Sequence, residues 1–380
     1  MKILLAPDKF KGSLTARQVC DAMTEGIRLA HPDAEIVALP MADGGEGTAE
    51  VLTQATGGQW ITVPALDPVD RPIQASYGIS SDQQTAFIEM SQASGLRLLH
   101  RNELNPLKAS TFGTGQLILD AISRGVTHLV LGIGGSATND AGIGMAAALG
   151  WQFLDAQGEP ISPCGGNLEH IAQLVPPVLP LNLSVEVACD VTNPLFGPNG
   201  AAYVYGPQKG ASAEDVEKLD QGLRHLARRI QAQFGVDLAD TPGAGAAGGL
   251  GAGALFFLKA TLKEGVKVVM EQTRFTEHLP GTDLVLTGEG KIDNQTLQGK
   301  LINGIAQEAK KFAVPTVALC GTLEAKPQEL MVLGLTAAFS VLTHPQTLDE
   351  ALSGAYDAVR QTTFNVLRLF NGNAVGSPGD

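Results

Sequence analysis

A rhythm that stops and resumes constrains this fold more than any single motif. The chain opens with an apolar run, Lys2–Ala6, then a polar loop, then helical periodicity from Thr15 to Ala30. Ser13 or Thr15 is placed to cap that helix and Pro32 to end it. A second run, Glu35–Pro40, leads into Met41-Ala-Asp-Gly-Gly-Glu-Gly-Thr48 and a helix to about Ala55. Strand, loop and helix in this order begin a parallel sheet. The rhythm resumes near residue 283. Asp283–Thr287, Thr316–Cys320 and Ala337–Val341 read as strands, with helices expected at about 297–311, 324–333 and 349–370. Five such strands predict an α/β chain with a flavodoxin-like, doubly wound parallel sheet in the order 2-1-3-4-5. Ligands in such a sheet lie at the carboxyl ends of the strands beside the switch point, here the first and third. The loops Pro7–Ser13 and Gly288–Asp293 would then face one another.

Between the two halves the pattern changes. Ile73–Ile79 and Thr85–Met90 read as a hairpin around Ser80–Gln84. A helix at Gly115–Arg124, a buried strand at His128–Gly132, a Gly-rich loop and an Ala-rich helix to Leu149 follow. Val185–Cys189 reads as a strand and Ala213–Phe234 as a charged amphipathic helix. The expected organisation is a discontinuous domain of residues 1–60 and 281–380, interrupted by an inserted α/β domain of residues 61–280. The active site is expected in the cleft between them, and Asn371–Asp380 as a frayed tail.

Composition removes several classes. The 45 glycines and 21 prolines follow no G-X-Y period, and 44% hydrophobic residues exclude disorder. An excess of 39 acidic over 26 basic side chains argues against a nucleic-acid surface. The longest uncharged stretch, Thr241–Leu258, carries six glycines and is no membrane span, and the apolar N-terminal run is too short for a signal peptide. Cysteines at 20, 164, 189 and 320 are widely spaced and read as reduced thiols. A cytoplasmic chain with no membrane partner is expected. Its oligomeric state is open.

Standard phosphate motifs are missing: no G-x-x-x-x-G-K-[ST], no H-R-D and no D-F-G occurs. Gly132-Ile-Gly134-Gly-Ser-Ala137 matches the dinucleotide fingerprint, with Asp155 closing the apolar run Trp151–Asp155. Two rival readings are a tight strand-to-helix turn and an anion-binding helix N-terminus. Ser136, Thr138, Asn139 and Asp140 make this loop more polar than close approach to a pyrophosphate needs. Other blocks also combine glycine with charge. Met41–Thr48 holds Asp43 and Glu46, and Thr287–Lys300 holds Glu289, Lys291, Asp293 and Lys300 around Gly288, Gly290 and Gly299. Asp190 ends an apolar strand, where a buried carboxylate would need a partner or a metal, and Lys209 sits in the turn Gly206-Pro-Gln-Lys-Gly210. Singly, each reads as a capped or solvated turn. Together, carboxylates for a divalent ion, lysines for phosphate oxygens and glycines for close backbone approach suit phosphoryl transfer. The seven histidines show no ligand spacing.

Seven blocks taken in order resemble the class I glycerate kinases. They are Ala6-Pro-Asp-Lys-Phe-Lys-Gly-Ser-Leu14, Ala42-Asp-Gly-Gly-Glu-Gly-Thr48, Gly132-Ile-Gly-Gly-Ser-Ala-Thr-Asn-Asp140, Ala188-Cys-Asp-Val-Thr-Asn-Pro194, Gly206-Pro-Gln-Lys-Gly-Ala211, Pro242-Gly-Ala-Gly-Ala-Ala-Gly-Gly249 and Thr287-Gly-Glu-Gly-Lys-Ile-Asp293. The resemblance spans residues 1 to about 370. It implies ATP- and Mg²⁺-dependent phosphorylation of D-glycerate, usually at the 2-hydroxyl, by a cytoplasmic two-domain protein. Lys9 stands where that family more often has Ser, and Ala141 where Gly is commoner.

On this reading Asp190, Lys11 and Asp8 are the catalytic candidates. Substrate and phosphate candidates are Gly134, Gly135, Ser136, Asn139, Lys209, Gly288, Glu289, Lys291, Asp293 and Lys300. Lys11, Lys209 and Lys300 would grip phosphates or the substrate carboxylate. Asp190, Asp43 and Glu46 are the metal candidates, with Asp190 favoured as Mg²⁺ ligand or base. The partners implied are D-glycerate and ATP alone. Two alternatives stay open: an NAD(P)-dependent dehydrogenase of a small hydroxy acid using Gly132–Ala137, and a non-enzymatic ligand sensor.

Overall fold

The computed structural model describes residues 1–179, 181–293, 296 and 301–370. In chain order its strands begin with β1 (Lys2–Pro7), β2 (Glu35–Ala38), β3 (Gln59–Leu66), β4 (Pro72–Ile79), β5 (Thr85–Glu89) and β6 (His128–Gly132). Then come β7 (Gln152–Leu154), β8 (Gln173–Val175), β9 (Ser184–Ala188), β10 (Thr261–Lys263), β11 (Leu284–Ile292), β12 (Thr316–Leu323) and β13 (Ala337–Ser340). The chain divides into two compact units, residues 1–43 with 269–380, and residues 44–268. The helix Thr48–Ala55 therefore belongs to the second unit, a shorter first segment than the sequence pattern led us to expect.

The first unit is the doubly wound sheet. Its strand order is β13-β12-β11-β1-β2, every neighbouring pair parallel, which in order of appearance within the sheet is 2-1-3-4-5. Side chains alternate across a strand, so Ile3, Leu5, Leu284, Leu286, Val317 and Leu319 enter one core with Val19, Met23 and Ile27 of the helix Ala16–Ala30. Ile292, Ala318 and Cys320 enter the other with Ile302 and Ala306. Thr15 caps the first helix: its hydroxyl accepts from Gln18 N, and Gln18 Oε1 accepts from Thr15 N. β11 departs from expectation. It runs through Gly288, Glu289 and Lys291 to Ile292, because β12 continues to pair with it at Lys291↔Thr322 and Ile292↔Leu323. A run rich in glycine and charge is held extended by its neighbour's ladder. The anticipated loop is strand.

The second unit is built on a mixed six-stranded sheet, β10-β9-β6-β5-β4-β3. β5, β6, β9 and β10 are mutually parallel, and β3 and β4 add an antiparallel edge. The hairpin of β4 with β5 is present, and β3, which the sequence pattern did not mark, pairs along the whole of β4. β7 and β8 form a separate two-stranded sheet. The Gly-rich stretch that was excluded as a membrane span is the helix Ala246–Phe257, and no helix among the described residues is long and apolar enough to cross a membrane. The helix Ala213–Phe234 lies where its periodicity places it, capped by Ser212.

Candidate active site

Each unit carries polar groups at the carboxyl edge of its central strands. In the first unit, Asp8 follows β1. Its N–H donates to Gly288 O at 2.8 Å and its Oδ1 accepts from Lys9 N at 2.6 Å. The carboxyl is buried, and burial pushes its pKa up to about 7; Asp43 adds to the rise and Lys9 opposes it, while Glu289 raises it further. Glu289 accepts from Thr296 Oγ1 at 2.5 Å. Lys11 is exposed in the turn that follows, where a Cβ placed on Gly290 would lie 3.2 Å from the Lys11 amide nitrogen. The segments after β1 and at the end of β11 thus face one another, as the strand order required. Lys291 points elsewhere: it pairs with Glu324 at 2.9 Å and Asp293 at 3.3 Å on the surface. Lys300 lies outside the described residues.

In the second unit the loop Ile133–Gly142 leaves β6, and the next helix begins only at Ile143. This corrects the dinucleotide reading, in which the helix starts within the Gly motif itself. Asp155 adds to the correction, because it follows β7 in the small separate sheet and accepts from Gln157 N and Glu159 N as an ordinary turn residue. Gly134 and Gly135 are exposed. Among the described residues, no bond within the chain is made by their N–H groups or by that of Ser136. Behind them the loop is buried and pinned. Asp140 is fully buried and accepts from Thr111 N and Oγ1, both at 2.8 Å, and from Gly142 N and Gly144 N at 3.1 and 3.2 Å. Burial raises its pKa, and those four donors pull it back.

Lys209 closes this loop from behind. It is only 2% exposed, and its Nζ donates to Thr138 O at 2.6 Å and to Ser136 Oγ at 3.2 Å. Burial lowers its pKa to about 7, and the field of Asp140 only partly opposes this. Asn139 is 0% exposed, and among the described residues neither its Oδ1 nor its Nδ2 has a partner. The helix Ala246–Phe257 buttresses the same loop with a first turn in left-handed conformation, Ala247 (φ 54°), Gly248 (φ 73°) and Gly249 (φ 87°). A Cβ on Gly248 would sit 2.0 Å from Thr138 O, so only glycine allows the two backbones to meet there.

Asp190 differs from expectation. It lies beyond the end of β9 and is exposed, not a buried charge; its Oδ1 accepts from Gly265 N at 2.8 Å, at the start of the helix Gly265–Gln272. Glu46 is exposed and paired with Arg97 at 2.9 Å, and Asp43 is half-buried near Asp8. No three His, Cys, Asp or Glu side chains among the described residues gather as a metal cage. One group was missed by the motifs: Glu89 ends β5, is buried, and accepts from Gly47 N at 2.8 Å and Ala49 N at 3.0 Å, at the start of the helix Thr48–Ala55. An acid closing an apolar strand is the signal that singled out Asp190, and Glu89 carries it equally.

One unit offers backbone amides that make no bond among the described residues, on a loop held by a buried lysine, and the other offers the neighbouring carboxyls Asp8, Asp43 and Glu289, a donor and acceptor set suited to phosphate chemistry. Comparison with known proteins agrees. The family model described as the glycerate kinase family matches residues 3–371. Glycerate 2-kinase of Escherichia coli (strain K12) is 45% identical over 373 residues, covering 96% of this chain and 97% of that protein. Glycerate kinase of Halalkalibacterium halodurans is 45% identical over 368 residues, with 96% and 97% covered. A crystal structure assigned as glycerate kinase 2 from Salmonella typhimurium LT2 superposes with a TM-score of 0.90 at 43% identity, covering 98% of this chain and 99% of that one. Matched from end to end in sequence and in fold, the chain belongs to the glycerate kinase family, and it is a phosphotransferase.

Proposed function

We propose that the protein transfers the γ-phosphoryl group of ATP to D-glycerate, giving 2-phosphoglycerate and ADP. The observation that carries this reading is the match to the glycerate kinase family over residues 3–371. The 2-position rests on the name of the E. coli relative. The reaction needs charge neutralisation on the phosphates, a fixed acceptor hydroxyl and a proton acceptor. We assign phosphate contact to the N–H groups of Gly134 and Gly135, which are exposed, and to that of the buried Ser136 next to them; none of the three makes a bond within the described chain. Lys11, exposed beside Gly290, is the cation we assign to an anionic group of either substrate. Lys291, already paired with two carboxylates, we leave out.

Magnesium binding through protein usually involves one or two carboxylates, with phosphate oxygens and water completing the shell. Asp190 fits that demand: it is exposed, and its Oδ1 is fixed by Gly265 N. Glu46 fits less well, being held by Arg97. A Mg²⁺ ion at Asp190 would supply neutralising charge to phosphate oxygens. We place the reaction in the cytoplasm, where ATP is available and the four free cysteines stay reduced.

Incubation with ATP, Mg²⁺ and D-glycerate, followed by ADP assay and phosphorus NMR of the product, tests the reading. The expected product carries phosphate on the 2-oxygen. A product phosphorylated on the 3-oxygen would reassign the position, and no ADP formation with this acid would remove the substrate assignment.

A further inference from the structure

At its carboxyl end the helix Ala246–Phe257 of the second unit lines an apolar cavity of about 470 Å³. The first turn of the same helix buttresses the Ser136–Thr138 segment. From Gly248 to Phe256 is roughly 12 Å along a helix axis at 1.5 Å per residue, so the cavity is separate from the candidate site. Trp151, Phe234 and Phe256 contribute its rings. Each pair among the three is edge-on or tilted, with centroids 6.0, 5.5 and 5.1 Å apart. Phe234 and Val236 stay 38% and 37% exposed, which leaves the cavity open to solvent on their side. Sites for small organic molecules occupy about 300–1,000 Å³, and this cavity falls inside that range.

Lys259 is the charged residue of the described lining. The helix ends at Phe257, and the chain reverses at Lys259 with φ 53°, which lets Ala260 N donate to Ala254 O at 3.0 Å. A left-handed residue just after a helix is usually glycine, because a Cβ is penalised there. In a chain with 45 glycines this position keeps a lysine. Lys259 is exposed, and among the described residues its ammonium makes no hydrogen bond or ion pair. An unpaired charge on strained backbone beside an apolar hollow serves a ligand, whereas packing has no use for it.

We propose that this cavity binds an aromatic monocarboxylate, its ring among Trp151, Phe234 and Phe256 and its carboxylate on the Lys259 ammonium. An aromatic ring has a negative face and a positive edge, so a fourth ring extends the edge-to-face contacts that the three already make. The carboxylate supplies the acceptor that the ammonium lacks, in a charge-assisted bond. Beside an apolar cavity that attraction is less screened than on open surface. One cation matches one carboxylate. A second negative charge on the ligand would enter the apolar lining without a partner, at a large desolvation cost, which sets this ligand class apart from nucleotides and other phosphate esters. The site is independent of the kinase reading and stands or falls on binding alone.

Calorimetric titration of the full chain with 2-naphthoate, and with 2-naphthamide as its uncharged counterpart, tests the site. The acid should bind one-to-one with a Kd below about 1 mM and at least about threefold tighter than the amide. Excess D-glycerate and ATP should not displace it. Lys259→Gly should abolish the preference for the acid while keeping or raising Tm, because glycine suits the left-handed position. Val236→Trp, which fills the open side of the cavity, should weaken binding at least ~10-fold. Should Val236→Trp fail to fold, Lys259→Gly carries the test alone. No binding below about 1 mM overturns the proposal, as does displacement by D-glycerate, equal affinity for acid and amide, or a preference that survives Lys259→Gly. Sedimentation of the wild type against Val236→Trp covers the remaining occupant: self-association that the variant abolishes would assign the cavity to a second copy of the chain and overturn the small-molecule site.

Discussion

The ends of β1 and β11 and the end of β6 hold equivalent places in their sheets, the carboxyl edge of central parallel strands, yet they carry opposite electrostatics. In the first unit a buried carboxyl, Asp8, sits near two more, Asp43 and Glu289, and holds its proton up to about 7. In the second, a buried amine, Lys209, sheds its proton at about 7, and the nearby carboxylate, Asp140, is satisfied by four backbone and side-chain donors. One edge accumulates like charge and the other isolates a cation. Strand-end topology supplies the place for a ligand, and the choice of buried group supplies the chemistry. Predictions that break or sharpen this contrast run from a large structural loss to a nearly silent substitution.

The largest effect belongs to Asp140. Asp140→Ala leaves Thr111 N, Thr111 Oγ1, Gly142 N and Gly144 N without their acceptor inside the core, at a cost of about 3–5 kcal/mol. Chemical denaturation of the purified variant measures it. Asp140→Asn keeps one acceptor oxygen and should lose clearly less. A loss below about 1 kcal/mol in Asp140→Ala would mean that the loop holds its shape without this network, and the contrast with the first unit would lose its foundation.

Much of this contrast was visible in the blocks and little of it in their side-chain roles. The five-stranded sheet was legible because strand, Gly-containing loop and capped helix recur with period-2 and then 3.6-residue patterning, and Thr15 with Gln18 forms the capping box that starts the first helix. β3 was hidden because Gln59–Leu66 contains Pro64 and several exposed positions, and only its partner β4 makes it a strand. β11 was cut short for a similar reason: Gly288-Glu-Gly-Lys reads as loop until β12 is beside it. The helix Ala246–Phe257 was obscured by glycines that serve close approach, as at Gly248 against Thr138 O. Lys209 was found as a candidate by its turn, yet nothing local in sequence says that its side chain is buried against the Ser136–Thr138 segment. Asp190 shows the converse, since an acid after an apolar strand promised burial and proved exposed.

Opposite pH dependence follows from the two buried groups. The pKa of Asp8 rises from 3.8 unfolded to about 7 folded, so the native state holds the extra proton between them and loses stability as pH climbs through that window. The pKa of Lys209 falls from 10.5 to about 7, so its native contribution is complete above the unfolded value and is lost as pH drops toward 7. Asp8→Asn should therefore gain on wild type as pH rises from about 4 to about 7, and Lys209→Met should gain as pH falls from about 10 to about 7, each by a few kcal/mol. Denaturant titrations at several pH values check both signs. Parallel slopes in the two variants would erase the distinction between the edges.

The smallest effect is predicted at Lys291, which looks in the sequence like Lys209's equal, a lysine in a Gly-rich, acid-containing block. Its side chain is 48% exposed, and its ammonium is bonded to Glu324 and Asp293 at the surface, where water and salt screen the pairs. Those partners raise its pKa, the reverse of the shift that burial gives Lys209. Lys291→Met should thus change stability little, and less still in high salt, and should leave kcat within about threefold of wild type. A fall in kcat of ~10²-fold at Lys291 would bring the end of β11 into contact with the transferring phosphate. The acidic edge would then carry a working cation of its own, and its contrast with the β6 loop would narrow to the difference between an exposed lysine and a buried one.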